Sequence, residues 1–272
     1  MMEYFTLRNG IKIPAVGSGT NSFGREKETA DGEKIGAWTP VFTAIEAGYE
    51  LFDTAIMYRN EEQLGQVLKK TGVKREKLFI IGKMPAPSEG EDVAAYTKAC
   101  IEKSLNSFNT GYLDMYLMHK PWDNAEEMTV VWRTLLDYEK QGILKSVGVS
   151  NFTIEQMEIL YKNTGVYPIA NEIQINPSEW NKELTAYCQT HEILPIAWAP
   201  LTRVSEDYKE LLSNIGLKYN KSWAQVLLRY DYQRGICVIP KSHNKINQIA
   251  NLQIFDFEIS ADDMNVLGAL VS

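Results

Sequence analysis

The sequence predicts an α/β fold, a (β/α)8 TIM barrel with an N-terminal β-hairpin, and three observations support this prediction. Short apolar runs recur along the chain, stretches with helical periodicity separate them, and no GxGxxG turn follows any of them. Strands that are apolar on both faces and alternate with helices indicate a parallel sheet. Eight such units in 272 residues suit a closed barrel. The rival is a doubly wound open sheet, which a glycine-rich dinucleotide-binding turn would favour.

The hairpin and the strands can be placed on the sequence. Alternating residues flank Asn9-Gly10, which is a strong hairpin signal. The apolar runs that predict the barrel strands are, in chain order, Ala15–Gly19, Tyr49–Asp53, Leu78–Gly82, Met115–His119, Ser146–Val149, Ala170–Ile175, Leu194–Trp198 and Cys237–Pro240.

Apolar stripes with helical spacing lie between these runs. The three clearest stripes are Val93, Ile101, Leu105 and Phe108; Val131, Leu135 and Tyr138; and Ile154, Met157 and Tyr161. Thr153 and Gln156 form a capping-box pattern at the start of the last one. Since there is no linker or internal repeat, a single domain over residues 1–272 is predicted. The polar segment Asn21–Gly36 is expected to lie over the C-terminal face of the barrel.

Composition excludes several classes of function. The chain is 44% hydrophobic and carries a net charge of −7 without a long basic run, which argues against nucleic-acid and anionic-membrane partners. No apolar run approaches the roughly 20 residues of a membrane span, and the N-terminus lacks the pattern of a signal peptide. Cys100, Cys188 and Cys237 are far apart, and the three histidines are too scattered for a zinc site. We therefore expect a cytoplasmic protein with reduced cysteines and no metal.

Polar residues lie at the C-terminal ends of the predicted strands or directly after them. They are Asp53, Lys83, His119, Ser150, Asn151, Glu172, Lys241 and Ser242. Because the C-terminal ends of barrel strands converge on one face, we expect these side chains to meet there. Lys83 can compensate the charge of Asp53, and a desolvated pair of this kind is better evidence for a site than for stability.

Tyr58 lies in the loop after Asp53, and its neighbours suggest chemistry. A lysine cation lowers the pKa of a nearby tyrosine, which can then donate a proton to a developing alkoxide. His119 could donate a hydrogen bond to the same oxygen. Each residue alone has a simpler explanation: Tyr58 as a packed loop tyrosine, His119 as a core histidine, Asp53 as a helix cap. Together they suit carbonyl reduction, for which a nicotinamide cofactor would supply the hydride.

The chain resembles the aldo-keto reductases from end to end, in particular the short, bacterial-type members. The motifs that carry this resemblance are the Asn-Gly hairpin, GYELFDTAIMY, LFIIGK, YLMHKP, GVSNF, NEIQINP, AWAPL and IPKS followed by NLQIFDFEIS. Each motif is modest, but their order and spacing are specific. The resemblance implies a (β/α)8 barrel that uses NADPH, or less often NADH, without metal or flavin, and acts as a monomer.

The resemblance also implies roles for individual residues. Tyr58 would be the general acid, Lys83 would lower its pKa, Asp53 would pair with Lys83, and His119 would orient the substrate carbonyl. The residues that would bind the cofactor are Thr20, Ser150, Asn151, Glu172, Trp198, Leu201, Lys241, Ser242 and Asn251. Among these, Ser150 and Asn151 would hold the carboxamide, and Trp198 would stack on the nicotinamide. Lys241 and Ser242 would meet the phosphate on the adenosine ribose, and Asn251 would contact adenine.

The chain departs from the family pattern at several positions. Glu172 stands where the family usually has glutamine, and a carboxylate can accept from an amide but cannot donate to its oxygen. Asn247 stands where an arginine is frequent, which leaves the choice between NADPH and NADH open. Asn21 replaces an aromatic residue of the substrate pocket, and Gly82 replaces serine or threonine. Trp122 either lines the pocket or packs under a loop.

Two classes of function follow. The first is a nicotinamide-dependent reductase that acts on a small aldehyde or ketone. The second is a regulatory module that binds the cofactor with little turnover. A sugar-phosphate isomerase is less favoured, because no Gly-rich phosphate loop occurs late in the chain.

Overall fold

The N-terminal hairpin closes one end of the barrel. A computed structural model describes residues 2–24 and 38–269, and in it strands β1 (Tyr4–Thr6) and β2 (Lys12–Pro14) pair antiparallel. Leu7 N donates to Ile11 O at 2.8 Å, so the loop between them has three residues and ends at Gly10, whose φ of 85° is left-handed. Ile13 is fully buried against the residues that fill the barrel. The predicted hairpin is confirmed.

Eight parallel strands form the barrel. They are β3 (Gly17–Gly19), β4 (Leu51–Asp53), β5 (Phe79–Met84), β6 (Met115–Met118), β7 (Val147–Ser150), β8 (Ala170–Gln174), β9 (Leu194–Trp198) and β10 (Cys237–Ile239). They are ordered sequentially from β3 to β10. A parallel bridge between Val16 and Val238 brings the first strand beside the last, so the sheet is nearly closed. The predicted (β/α)8 barrel is confirmed, and each of the eight apolar runs overlaps one strand.

Ten helices lie among the described residues and cover the barrel. They are α1 (Thr39–Ala47), α2 (Glu61–Lys70), α3 (Val93–Phe108), α4 (Ala125–Lys140), α5 (Ile154–Thr164), α6 (Lys182–Thr190), α7 (Glu206–Leu217), α8 (Trp223–Gln233), α9 (Lys245–Leu252) and α10 (Ala261–Ala269). The connection between β9 and β10 contains two helices, α7 and α8, instead of one. In the described ranges no helix is long and apolar enough to cross a membrane.

The helical stripes are largely confirmed. Val131 and Leu135 of α4 are fully buried, and the capping box of Thr153 and Gln156 starts α5. Tyr161 is the exception, because 42% of it is exposed and its ring stacks on Tyr167 at 4.0 Å between centroids. Of the predicted loop Asn21–Gly36, residues 25–36 lie outside the described residues.

Strand alternation divides the core into two layers. Leu51, Phe79 and Ile81 belong to the cluster inside the barrel, whereas Phe52 and Ile80 belong to the cluster between strands and helices. Successive side chains of a strand point to opposite faces. The odd-numbered positions of β4 and β5 therefore face inward, and these include the polar residues of the next section.

Gly82 shows why one departure from the family pattern fits this chain. It lies on the outer face of β5, and a Cβ added there would lie 2.9 Å from the ring of Tyr116 on β6. Tyr116 is fully buried, and its hydroxyl donates to Cys100 O at 3.1 Å. The glycine therefore makes room for the tyrosine ring.

Candidate active site

A buried ion cluster lies inside the barrel. Lys83 Nζ donates a hydrogen bond to Asp53 Oδ1, the pairing expected from the sequence, and lies 3.1 Å from Glu172 Oε2. All three side chains are almost completely excluded from solvent. Lys83 and Glu172 lie within β5 and β8, so the expectation that they mark strand ends is wrong. Their inward-facing register brings them together.

The cluster carries two carboxyl groups and one ammonium group. The pKa of Glu172 is raised to about 8, because burial and the charge of Asp53 raise it more than Lys83 lowers it. Burial likewise raises the pKa of Asp53, against the attraction of Lys83. Burial disfavours the ammonium, yet the carboxylates of Asp53 and Glu172 raise the pKa of Lys83 overall. Lys83 is therefore a cation at neutral pH.

Tyr58 ends a short 3-10 helix, Ile56–Tyr58, that follows β4. Its ring centroid lies 5.4 Å from Lys83 Nζ and 5.5 Å from the centroid of the His119 ring. Burial raises the pKa of Tyr58, while the charge of Lys83 and its hydrogen bond lower it. Lys83 acts in the expected direction, but burial outweighs it, so Tyr58 holds its proton at neutral pH.

His119 follows β6 and faces Tyr58 edge to face, with 82° between the ring planes. Its pKa is lowered to about 4, by burial first and then by the charges of Lys83 and Lys120. Its buried Nδ1 has no hydrogen-bond partner among the described residues. A neutral imidazole keeps one N–H donor. His119 can therefore donate one hydrogen bond without carrying charge.

These groups open into a pocket of about 490 Å³ at the C-terminal face of the barrel. It is lined by Gly19, Thr20, Asn21, Asp53, Tyr58, His119, Ser150, Asn151, Glu172, Trp198, Ala199, Pro200, Leu201, Thr202, Ile239, Pro240 and Lys241. Lys83 does not line the pocket itself and lies beneath the lining residues Asp53 and Glu172. Most residues assigned from the sequence thus converge on one cavity.

A polar network fixes one wall of this pocket. Ser150 Oγ donates to Glu172 O at 2.9 Å, and Asn151 Nδ2 donates to Ser150 Oγ at 3.0 Å. Trp198 Nε1 donates to Asn151 Oδ1 at 2.9 Å. Asn151 has a left-handed φ of 60°, which asparagine tolerates better than most residues. The wall thus offers an aromatic ring beside amide and hydroxyl groups, which suits a nicotinamide with its carboxamide.

The opposite wall is held by contacts of the loop after β3. Lys241 Nζ donates to Asn21 Oδ1 at 2.8 Å, and Ser22 Oγ lies 3.1 Å from His243 Nε2. Thr20 Oγ1 donates to Asp53 O at 2.8 Å. Asn21 therefore holds Lys241 at the pocket.

Besides Lys83, three residues assigned from the sequence do not line the pocket. Trp122 Nε1 donates to Glu127 Oε2 at 3.1 Å and its ring packs against the core, which matches the alternative of a packed loop residue. Ser242 Oγ donates to Asn244 O at 3.2 Å, just before α9. Asn251 is buried in α9.

Some lining and supporting residues were missed by the sequence reasoning. Ala199, Pro200 and Thr202 form the loop after β9, and the AWAPL motif was the signal that could have found two of them. Buried Asn60 donates from Nδ2 to Thr20 O at 2.8 Å and supports the wall from behind. No signal in the sequence marked Asn60. Within the described ranges, no group of three or more His, Cys, Asp or Glu could hold a metal ion.

Two known proteins with similar sequences are bacterial reductases. Glyoxal reductase of Bacillus subtilis (strain 168) is 38% identical over 264 residues, covering 97% of this chain and 91% of the relative. Methylglyoxal reductase of Escherichia coli O157:H7 is 31% identical over 266 residues, covering 97% of this chain and 92% of the relative.

Solved structures agree with the sequence matches. An aldo/keto reductase from Brucella melitensis superposes with a TM-score of 0.88 at 31% identity, over 99% of this chain and 100% of the other. An aldo-keto reductase of Bombyx mori in complex with NADP superposes with a TM-score of 0.86 at 30% identity, over 99% of this chain and 93% of the other. The model of the aldo/keto reductase family matches residues 15–271. This chain belongs to the aldo/keto reductase family.

Proposed function

We propose that this protein is an NAD(P)H-dependent oxidoreductase that reduces an aldehyde or ketone to an alcohol. The observation that carries the proposal is the convergence of Tyr58 and His119 on one pocket above the Lys83 ion pair. A bound nicotinamide cofactor would supply the hydride. Membership of the family and the NADP complex of a structural neighbour support this choice.

Tyr58 is the proton donor in this proposal. It is protonated at neutral pH, and Lys83 lowers the energy of the phenolate that forms when the proton leaves. Neutral His119 donates a hydrogen bond to the substrate oxygen, which places the carbonyl for reaction and stabilises developing negative charge. Asp53 holds Lys83 in place. These four residues are the proposed catalytic set.

The pocket walls suggest how the cofactor binds. Trp198 offers its ring face to the nicotinamide, Ser150, Asn151 and Glu172 face the carboxamide, and Thr20 and Leu201 complete the walls. Lys241 is the proposed contact for a ribose phosphate, with Ser242 beside it. NADPH is therefore the proposed cofactor, and NADH stays an alternative because Asn247 replaces an arginine. Asn251, buried in α9, stays a proposed contact for adenine.

The substrate class is a small carbonyl compound. Two relatives are named for glyoxal and methylglyoxal, and Asn21 in place of an aromatic residue gives this pocket a polar wall. We propose short polar aldehydes of this kind. Cytoplasmic location and a monomeric state remain predictions.

The test is loss of reduced-nicotinamide absorbance with purified protein and a carbonyl panel. The panel holds glyoxal, methylglyoxal, a nitrobenzaldehyde and a keto-sugar acid, each with NADPH and with NADH. Turnover of any member supports the reductase. Cofactor binding without turnover of any member would favour the regulatory module instead.

A further inference from the structure

Glu172 contributes a second carboxyl group to the buried ion pair. Its side chain is 2% exposed, and its Oε2 lies 3.1 Å from Lys83 Nζ without the geometry of a hydrogen bond. The same ammonium group is also paired with the carboxyl group of Asp53. Two buried carboxylates that share one ammonium group cannot both ionise readily. One proton is therefore expected on the pair.

In the part of the chain that the structure describes, Lys83 supplies the one positive charge beside this pair. Glu172 is faced by Asp53 from β4 and by Lys83 from β5. Tyr58 of the 3-10 helix and Cys237 of β10 also lie close to it. Burial first, and then the charges of Glu172 and Asp53, raise the pKa of Cys237, so this thiol stays neutral. His119, after β6, is neutral as well. With one proton on the carboxyl pair, the cluster has no net charge.

We propose that Glu172 is a positioning residue for the acid Tyr58, sharing one proton with Asp53, and that loss of this proton to solvent weakens Tyr58 as an acid. The inference rests on the proposed function. A second full carboxylate beside Lys83 adds negative charge near the phenol, and charge on Glu172 raises the pKa of Tyr58. Reduction is then slowed at alkaline pH, through Lys83 and Tyr58 and without contact between Glu172 and the reacting carbonyl.

The kinetic test compares the pH profile of kcat for carbonyl reduction in the wild type, Glu172→Gln and Glu172→Met. The wild-type rate should fall above the pKa of Glu172, about 8, by up to tenfold for each further pH unit. Both variants remove the charge of Glu172. The rate of each variant should therefore not change with pH through that range. Of the two replacements, only glutamine can donate a hydrogen bond to the carboxamide oxygen of the nicotinamide. Only Glu172→Gln should therefore bind the cofactor more tightly.

A second measurement does not depend on activity. Carbon-13 NMR of the glutamate side-chain carboxyls should show a signal that titrates near pH 8 and is missing in Glu172→Gln. Glu61, whose pKa burial raises to about 7, is identified separately by Glu61→Gln. The exposed Glu62 provides a control, because Glu62→Gln should leave both signals in place.

The two measurements separate failure of the inference from failure of the proposed function. Titration of Glu172 near pH 8 in a protein without turnover supports the shared proton and rejects the reductase. Turnover with an alkaline fall that persists unchanged in both variants overturns the inference. A Glu172 signal that titrates in the ordinary range of glutamate overturns it as well.

Discussion

Glu172 Oε2 lies 3.1 Å from the Nζ of Lys83, which also donates to Asp53, so one ammonium group faces two carboxyl groups inside the barrel. β4 and β5 are neighbours, whereas β8 is three strands farther around the sheet. The contact thus crosses the barrel interior. Because these three ionisable groups are shielded from water, the protonation state of each depends strongly on the charges of the other two.

Removal of the Lys83 charge should be costly for stability. Lys83→Met leaves buried Asp53 and Glu172 without the cation they share, and loss of one partner from a buried ion pair costs about 3–5 kcal/mol. Urea unfolding at pH 7 should show this loss. Lys140→Met breaks an ion pair with Asp137 on the surface of α4 and should cost less than about 1 kcal/mol. Equal losses in the two variants would contradict a buried ion cluster.

Glu61 should make stability depend on pH. This residue of α2 is buried, its carboxylate accepts from Ser104 Oγ at 3.0 Å, and burial raises its pKa from 4.5 to about 7. The folded state therefore binds the proton more tightly than the unfolded state, so stability falls as pH rises from about 4.5 to about 7. By the value of about 1.4 kcal/mol for each pKa unit, the loss is of the order of 3 kcal/mol.

Glu61→Gln isolates this contribution. The amide can still accept from Ser104 but does not ionise, so the fall between pH 5 and pH 7 should shrink by about 2 kcal/mol relative to the wild type. Chemical unfolding at several pH values measures it. Identical pH dependence in the two proteins would show that Glu61 is not the group responsible.

Lys241 should discriminate between the two cofactors. Its Nζ lies at the pocket on Asn21, whereas Lys245 pairs with Glu46 on the surface at 2.7 Å. A charge-assisted hydrogen bond contributes about 1.5–3 kcal/mol, so Lys241→Met should weaken NADPH binding by roughly 10- to 100-fold and leave NADH nearly unchanged. Fluorescence titration measures both affinities. Lys245→Met is the matched control and should change the ratio less; an equal effect of Lys241→Met on both cofactors would remove Lys241 from the phosphate site.

The sequence predicted the barrel well, because its signals are local. An apolar run between polar turns identifies a strand wherever it lies, and the Asn9-Gly10 pair identifies the hairpin. The pairing of Asp53 with Lys83 was also predictable, since they lie on successive strands. The same reasoning placed Tyr161 in the core, because it shares an apolar helical stripe. The stripe could not show that stacking on Tyr167 would keep the Tyr161 ring at the surface.

The features that escaped prediction depend on distant contacts. Nothing near Glu172 in the sequence shows that it crosses the barrel to Lys83. The indole of Trp122 is turned to Glu127 by a hydrogen bond within the loop after β6. The pKa of Tyr58 depends on how completely folding removes water around it, which neighbouring residues in the sequence do not reveal.

The most direct test of the central claim is the kinetics of Tyr58→Phe. Loss of the hydroxyl removes the proposed acid and leaves the ring that contacts Lys83 and His119. Loss of a general acid costs roughly 10²- to 10⁴-fold, so carbonyl reduction should fall by that factor while the Kd for NADPH stays within about twofold of the wild type. A variant that keeps most of its reduction rate would contradict the assignment of Tyr58 as the proton donor.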